Sequence, residues 1–209
     1  MLAGLGVDTI GIPLRLEFNR EELSDSEAAE ICAALPQEKK AVVITYLSAA
    51  KDIIELCRAV GTDWVQLHGA IDERELLRLR DNAPGMFIIK SLIVRPDDNH
   101  ELSDELQRTA RYVDAYITDT FDPETGHYGA TGKVHNWNVS RRIVTLSAKP
   151  VILAGGLNPE NVKEAIVTVK PAGVDAHTAL ERPDGGKDKE LVRAFVKKAK
   201  EAFNELSSA

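Results

Sequence analysis

Asp119 ends the apolar run Ala115-Tyr116-Ile117-Thr118-Asp119, and a carboxyl at the end of a buried strand is suited to proton transfer. Partial burial disfavours its charged form and lifts its pKa towards the range useful for general acid catalysis. A helix cap or an ion pair with Lys90 or Lys133 is the plainer use of the same residue. The segment that follows carries Gly126, Gly129, Gly132 and Lys133, a loop able to close over a ligand and exclude water. A second chemistry is written in Val151-Ile152-Leu153-Ala154-Gly155-Gly156-Leu157-Asn158-Pro159-Glu160. A buried strand meets two glycines and then an Asn-Pro helix start, so bare backbone N–H groups can approach an anion at a helix N-terminus. This pattern is a phosphate cradle, although a tight turn after a strand also asks for glycine.

Four side chains extend these two chemistries. Thr178 offers a hydroxyl to a phosphate, and His177 adds positive charge if the anion raises its pKa. His68, after Val65-Gln66-Leu67, and Lys90, after Ile88-Ile89, fall at strand ends, where each contacts substrate or satisfies neighbouring carboxylates. A lysine so placed could also form a Schiff base with a carbonyl substrate. Arg20 could fork onto a substrate carboxylate, but Glu17, Glu21 and Glu22 around it make a surface ion cluster the stronger reading. Cys32 and Cys57 lie in helical patterns without metal-ligand spacing and read as core thiols, so no metal site is expected.

The elements that must position these residues alternate. Strands are expected at residues 7–14, 41–46, 64–67, 86–90, 115–119, 150–154 and 173–176, with the apolar opening Met-Leu-Ala-Gly-Leu read as part of the first. Helices are expected from a Ser24 or Asp25 cap to residue 35, from Ser48 to Gly61, at 72–82, 103–112 and 137–147, from Asn158 onward, and at 188–206. Seven strand-then-helix units in 209 residues predict one α/β domain over residues 1–209. The expected fold is a (β/α)8 barrel of the TIM type whose first β/α unit is absent, with functional residues at the carboxyl ends of the strands. The Gly-Gly turn follows the penultimate strand, where barrel phosphate sites are frequently built.

A formal net charge of −7 leaves no diffuse basic field, so neither nucleic acid nor an anionic membrane surface is an expected partner. The opening residues lack a basic leader and include Asp8, which points to a cytoplasmic protein. A barrel lacking one unit exposes two sheet edges, and such edges invite pairing. A homo-oligomer is therefore expected, or end strands that meet directly.

Together these segments resemble phosphoribosylanthranilate isomerase, a ribulose-phosphate-binding barrel of tryptophan biosynthesis. Gly6-Val7-Asp8-Thr9-Ile10-Gly11 looks like that family's second strand, and Val65 to Gly69 like its Val-Gln-Leu-His-Gly. Gly129-Ala130-Thr131-Gly132-Lys133 with Trp137 is similar to its glycine loop, and the Val151 to Val162 stretch matches its penultimate strand and turn. The resemblance implies an Amadori rearrangement of a phosphoribosylamine, with Asp119 as general acid and phosphate held at Gly155, Gly156 and Thr178. Arg20 stands nearest the family's substrate-carboxylate arginine, and the substrate implied is a small phosphorylated sugar, with no cofactor and no metal. The family's general base is a cysteine in a Lys-Ile-Cys-Gly strand, a motif not found here. Its Asp-Val-Ser-Ser-Gly-Val-Glu segment is Asp175-Ala176-His177-Thr178-Ala179-Leu180-Glu181 in this chain. The alternative these departures imply is a divergent barrel that binds or converts another phosphorylated sugar, even without catalysis.

Overall fold

The computed structural model describes residues 1–16, 23–94, 101–120 and 136–208. The chain divides into two compact units, one of Val7–Ser91 with Arg108–Ala115, the other of Met1–Gly6, Leu92–Gln107 and Tyr116–Ala209.

The first unit holds β1 (Thr9–Pro13), β2 (Lys40–Thr45), β3 (Trp64–Leu67) and the start of β4 (Phe87–Val94), each pairing in parallel with the next. Val43, Val65 and Ile88 are fully buried, as the continuous apolar runs of a sheet covered on both faces require. Lys40 N–H donates to Asp8 O and Leu14 N–H to Ile44 O. Even-numbered residues of β1 thus face β2, while Thr9, Gly11 and Pro13 face away. Proline has no N–H to lose there, which suits a terminal strand.

Helix α1 (Asp25–Ala34) opens with a capping box: the Ser24 hydroxyl accepts from Glu27 N–H and the Glu27 carboxylate accepts from Ser24 N–H. Helix α2 (Ala50–Val60) buries Ile53, Ile54, Cys57 and Val60 and ends at Gly61, whose φ is 80°. Its start differs from the expected Ser48. Ala50 N–H donates instead to the Glu75 carboxylate of α3 (Glu73–Asn82) at 2.8 Å, so the cap comes from another helix. Arg80 fastens the base of this unit, donating to Tyr112 O at 2.6 Å, to Met86 O at 2.8 Å and to the Asp114 carboxylate. That carboxylate also accepts from Ile88 N–H at 2.8 Å.

The second unit holds α4 (Glu101–Thr109) up to Gln107, β5 (Ala115–Thr120) from Tyr116 on, α5 (Trp137–Leu146), β6 (Val151–Leu153), α6 (Val162–Val169), β7 (Gly173–Val174) and α7 (Lys189–Ser207). The pairs β5–β6 and β6–β7 are parallel. Asp188 caps α7, its carboxylate accepting from Glu190 and Leu191 N–H. The opening residues are not strand: Leu2–Leu5 form a 3₁₀ turn that packs on α7. The two glycines in and after Leu-Ala-Gly-Leu-Gly favour that turn, and Gly6 ends it with φ 85°. In strand order β1 and β7 are terminal, each with one pairing partner among the described residues. No helix among the described residues is long and apolar enough to cross a membrane.

Candidate functional site

In the second unit, Asp119 is the penultimate residue of β5 and only 9% exposed. Its neighbour Thr118 locks β5 to β6, the hydroxyl donating to Ala154 O and accepting from Ala154 N–H at 3.0 Å. Immediately beyond, Gly155 and Gly156 adopt φ of 101° and 64°, left-handed backbone that side chains strain. The helix expected at Asn158 begins only at Val162. An Asx turn occupies the interval, with Asn158 Oδ1 accepting from Glu160 N–H at 2.8 Å and Asn161 N–H at 3.0 Å. Asn161 reaches back to donate to Gly156 O at 3.0 Å, which fixes the Gly156–Leu157 peptide. The glycine turn is therefore rigid before any anion arrives, and it leads into the helix through an ordered bend.

At the end of β7, Asp175 N–H donates to Leu153 O at 2.9 Å. Asp175 is open to water yet crowded by protein atoms, and that crowding pushes its carboxyl above the ordinary value while His177 and Lys187 pull it down. His177 and Thr178 are both exposed, with Thr178 opening the 3₁₀ turn Thr178–Leu180. Crowding and the Lys187 charge hold His177 below the usual imidazole pKa, against Glu181 and Asp175. Without an anion, its positive charge is disfavoured. Glu181 braces the turn, accepting from Lys187 Nζ at 2.8 Å and lying 3.3 Å from His177 Nδ1.

In the first unit, His68 directly follows β3, half-buried, with its Nδ1 3.1 Å from Ser91 Oγ. Gln66 Nε2 also donates to Ser91 Oγ at 3.1 Å, and the Tyr46 ring meets the imidazole edge-on at 4.8 Å between centroids. Lys90 is not at a strand end. β4 runs on to Val94 because Ser91-Leu92-Ile93-Val94 continues the apolar pattern, so Lys90 lies within the strand, 6% exposed. Its ammonium donates to Ser91 O at 2.9 Å and Gly69 O at 3.3 Å. Both candidates thus belong to one cluster around the loop after β3.

Arg20, Gly126, Gly129, Gly132 and Lys133 lie outside the described residues. Cys32 and Cys57 are helix residues whose thiols are pushed up by burial, Cys57 to about 12, so neither is a thiolate near neutrality. Among the described residues no group of three His, Cys, Asp or Glu is placed to hold a metal ion. Sequence reasoning passed over Asp175, Ser91 and Gln66. Asp175 carried a legible signal, an acidic residue directly after an apolar strand, whereas Ser91 becomes significant only through the neighbours that β3–β4 register gives it.

The family model for N-(5'-phosphoribosyl)anthranilate isomerase matches residues 12–198. The chain is 38% identical to N-(5'-phosphoribosyl)anthranilate isomerase 2 of Methanosarcina mazei, the match covering 97% of this chain and 89% of that one. Against the corresponding protein of Haloferax volcanii the identity is 37%, over 94% and 85%. The solved phosphoribosylanthranilate isomerase of Thermotoga maritima superposes with a TM-score of 0.78 at 26% identity, covering 96% of this chain and 91% of that structure. The strand and helix alternation is that of the (β/α)8 class, as the sequence pattern led one to expect.

Proposed function

The chain belongs to the N-(5'-phosphoribosyl)anthranilate isomerase family, and from that premise we propose that it catalyses the family's Amadori rearrangement in tryptophan biosynthesis. The reaction is an intramolecular redox step, an aldose becoming a ketose, on a small phosphorylated sugar. The observation that carries this reading is the match over residues 12–198, supported by a buried carboxyl and a preformed glycine turn at adjoining strand ends.

In this reading Asp119 donates the proton that opens the ribose ring, from a nearly buried position at the end of β5. The Gly155-Gly156 turn seats the phosphate on backbone N–H groups, with Thr178 and His177 after β7 as further anion contacts. Asp175 is a second strand-end carboxyl in the same unit, available for proton transfer as the imine becomes an enamine. His68 contacts the substrate from the loop after β3, and Lys90 acts through that loop by holding Gly69. Arg20 takes the substrate carboxylate. The enzyme is cytoplasmic and homo-oligomeric in this reading, with β1 and β7 as the terminal strands of the sheet. A Schiff-base role for Lys90 is disfavoured, since its ammonium is committed to Gly69 O and Ser91 O.

The test is turnover of phosphoribosylanthranilate, followed by loss of anthranilate fluorescence. Turnover is expected. Folded protein that binds sugar phosphates calorimetrically without turning this substrate over would overturn the activity in favour of a binding barrel.

A further inference from the structure

The hydrogen bonds around His68 have a direction. Gln66 Nε2 carries only donors, and it donates to Ser91 Oγ at 3.1 Å. A serine hydroxyl has one proton, and with Gln66 donating to the oxygen that proton is left to point elsewhere. His68 Nδ1 lies 3.1 Å from the same oxygen, and because the Gln66 nitrogen cannot accept, it is the partner that pairs the buried hydroxyl proton, which makes Nδ1 the acceptor nitrogen. Ser91 is 1% exposed and Gln66 9%, which keeps water from competing for these bonds. The Tyr46 ring packs edge-on against the imidazole on one side, at an interplanar angle of 73°. The backbone is pinned as well: His68 N–H donates to Thr45 O at 2.9 Å. A Cβ on Gly69 would come within 3.1 Å of the Tyr46 ring, so the loop after β3 lies close against that ring.

We infer that Ser91, oriented by Gln66, fixes His68 in the tautomer protonated on Nε2, so that the imidazole meets the substrate as a hydrogen-bond donor. Ser91 and Gln66 are positioning residues. The consequence is specific: the basic nitrogen of His68 is already occupied, so His68 offers its Nε2–H to an oxygen of the substrate and does not remove a proton from carbon. Only the identity of that oxygen's owner, the phosphorylated sugar, rests on the isomerase reading. The tautomer is a property of the protein alone.

The experiment is ¹⁵N NMR of the histidine ring nitrogens in ligand-free protein at mildly alkaline pH, with His68→Gln to assign the signals. Wild-type His68 is expected to show a pyridine-like Nδ1 and a pyrrole-like Nε2. Ser91→Ala should release the ring into a mixture of tautomers. Gln66→Glu places an acceptor against Ser91, turns its hydroxyl around and should move the proton to Nδ1. A wild-type ring protonated on Nδ1 overturns the inference, and so does a ring unchanged in both variants. Because the spectra are taken without substrate, absent isomerase turnover would sink the proposed function and leave this result standing.

Discussion

The polar groups of the two units are built in opposite ways. In the first unit His68, Gln66, Ser91 and Lys90 are buried or half-buried and bonded to one another or to backbone carbonyls before any ligand is present. In the second, Asp119 is buried, but Asp175, His177 and Thr178 are open to water and the anion cradle is bare glycine backbone. The first group spends its polar atoms on holding shape. The second keeps several of them turned to solvent, where a ligand can reach them. Gln66, Ser91 and Lys90 of the first group should therefore register in stability, and residues of the second in binding and turnover.

The largest effect expected is on Asp119. Replacing it with Asn should lower turnover about a thousandfold, the usual scale of a lost general acid, while the thermal midpoint stays close to wild type. Lys90→Met sharpens the contrast from the other side: it strips a donor from one buried and one half-buried carbonyl and should cost about 2 kcal/mol in urea unfolding. If Lys90→Met instead left stability untouched, the first group would not be the prebuilt one. Gly156→Val should raise KM about tenfold and lower stability by about 1 kcal/mol, because a β-branched residue resists φ of 64°.

The smallest effect is a pH dependence of anion binding. His177 is held below its ordinary pKa of 6.5 and Asp175 above its ordinary 3.8. On acidification through that interval His177 gains positive charge and Asp175 loses negative charge, so both changes favour an anion. Sulfate, whose own charge is constant there, should bind more tightly as pH falls from 6.5 towards 3.8, and Asp175→Asn should flatten the slope. Calorimetry reads it. Affinity that falls on acidification would remove both groups from the cradle.

Much of this molecule is legible in the chain itself. Ser24 and Glu27 form the capping box that their spacing announces, Gly61 ends α2, and β3 occupies residues 64–67 as expected, because caps and short apolar runs are local signals. Where partners come from afar, the local signal misleads. Ser48 yields to Glu75 as the cap of α2, a contact spanning twenty-five residues. Asn158-Pro159 looked like a helix start, yet the Asn158 side chain bonds Glu160 and Asn161 and delays the helix to Val162.

By itself the sequence determined the β/α alternation, the family, the glycine turn after β6 and the carboxyl at the end of β5. Each depends on residue type and spacing along one stretch of chain. Tertiary structure alone decided that Lys90 is a buried clamp, that Asp175 sits in a crowded setting, and that Ser91 governs His68. Those outcomes depend on strand register and on how long β4 runs, and register is set by packing across the sheet, which no single stretch of sequence contains.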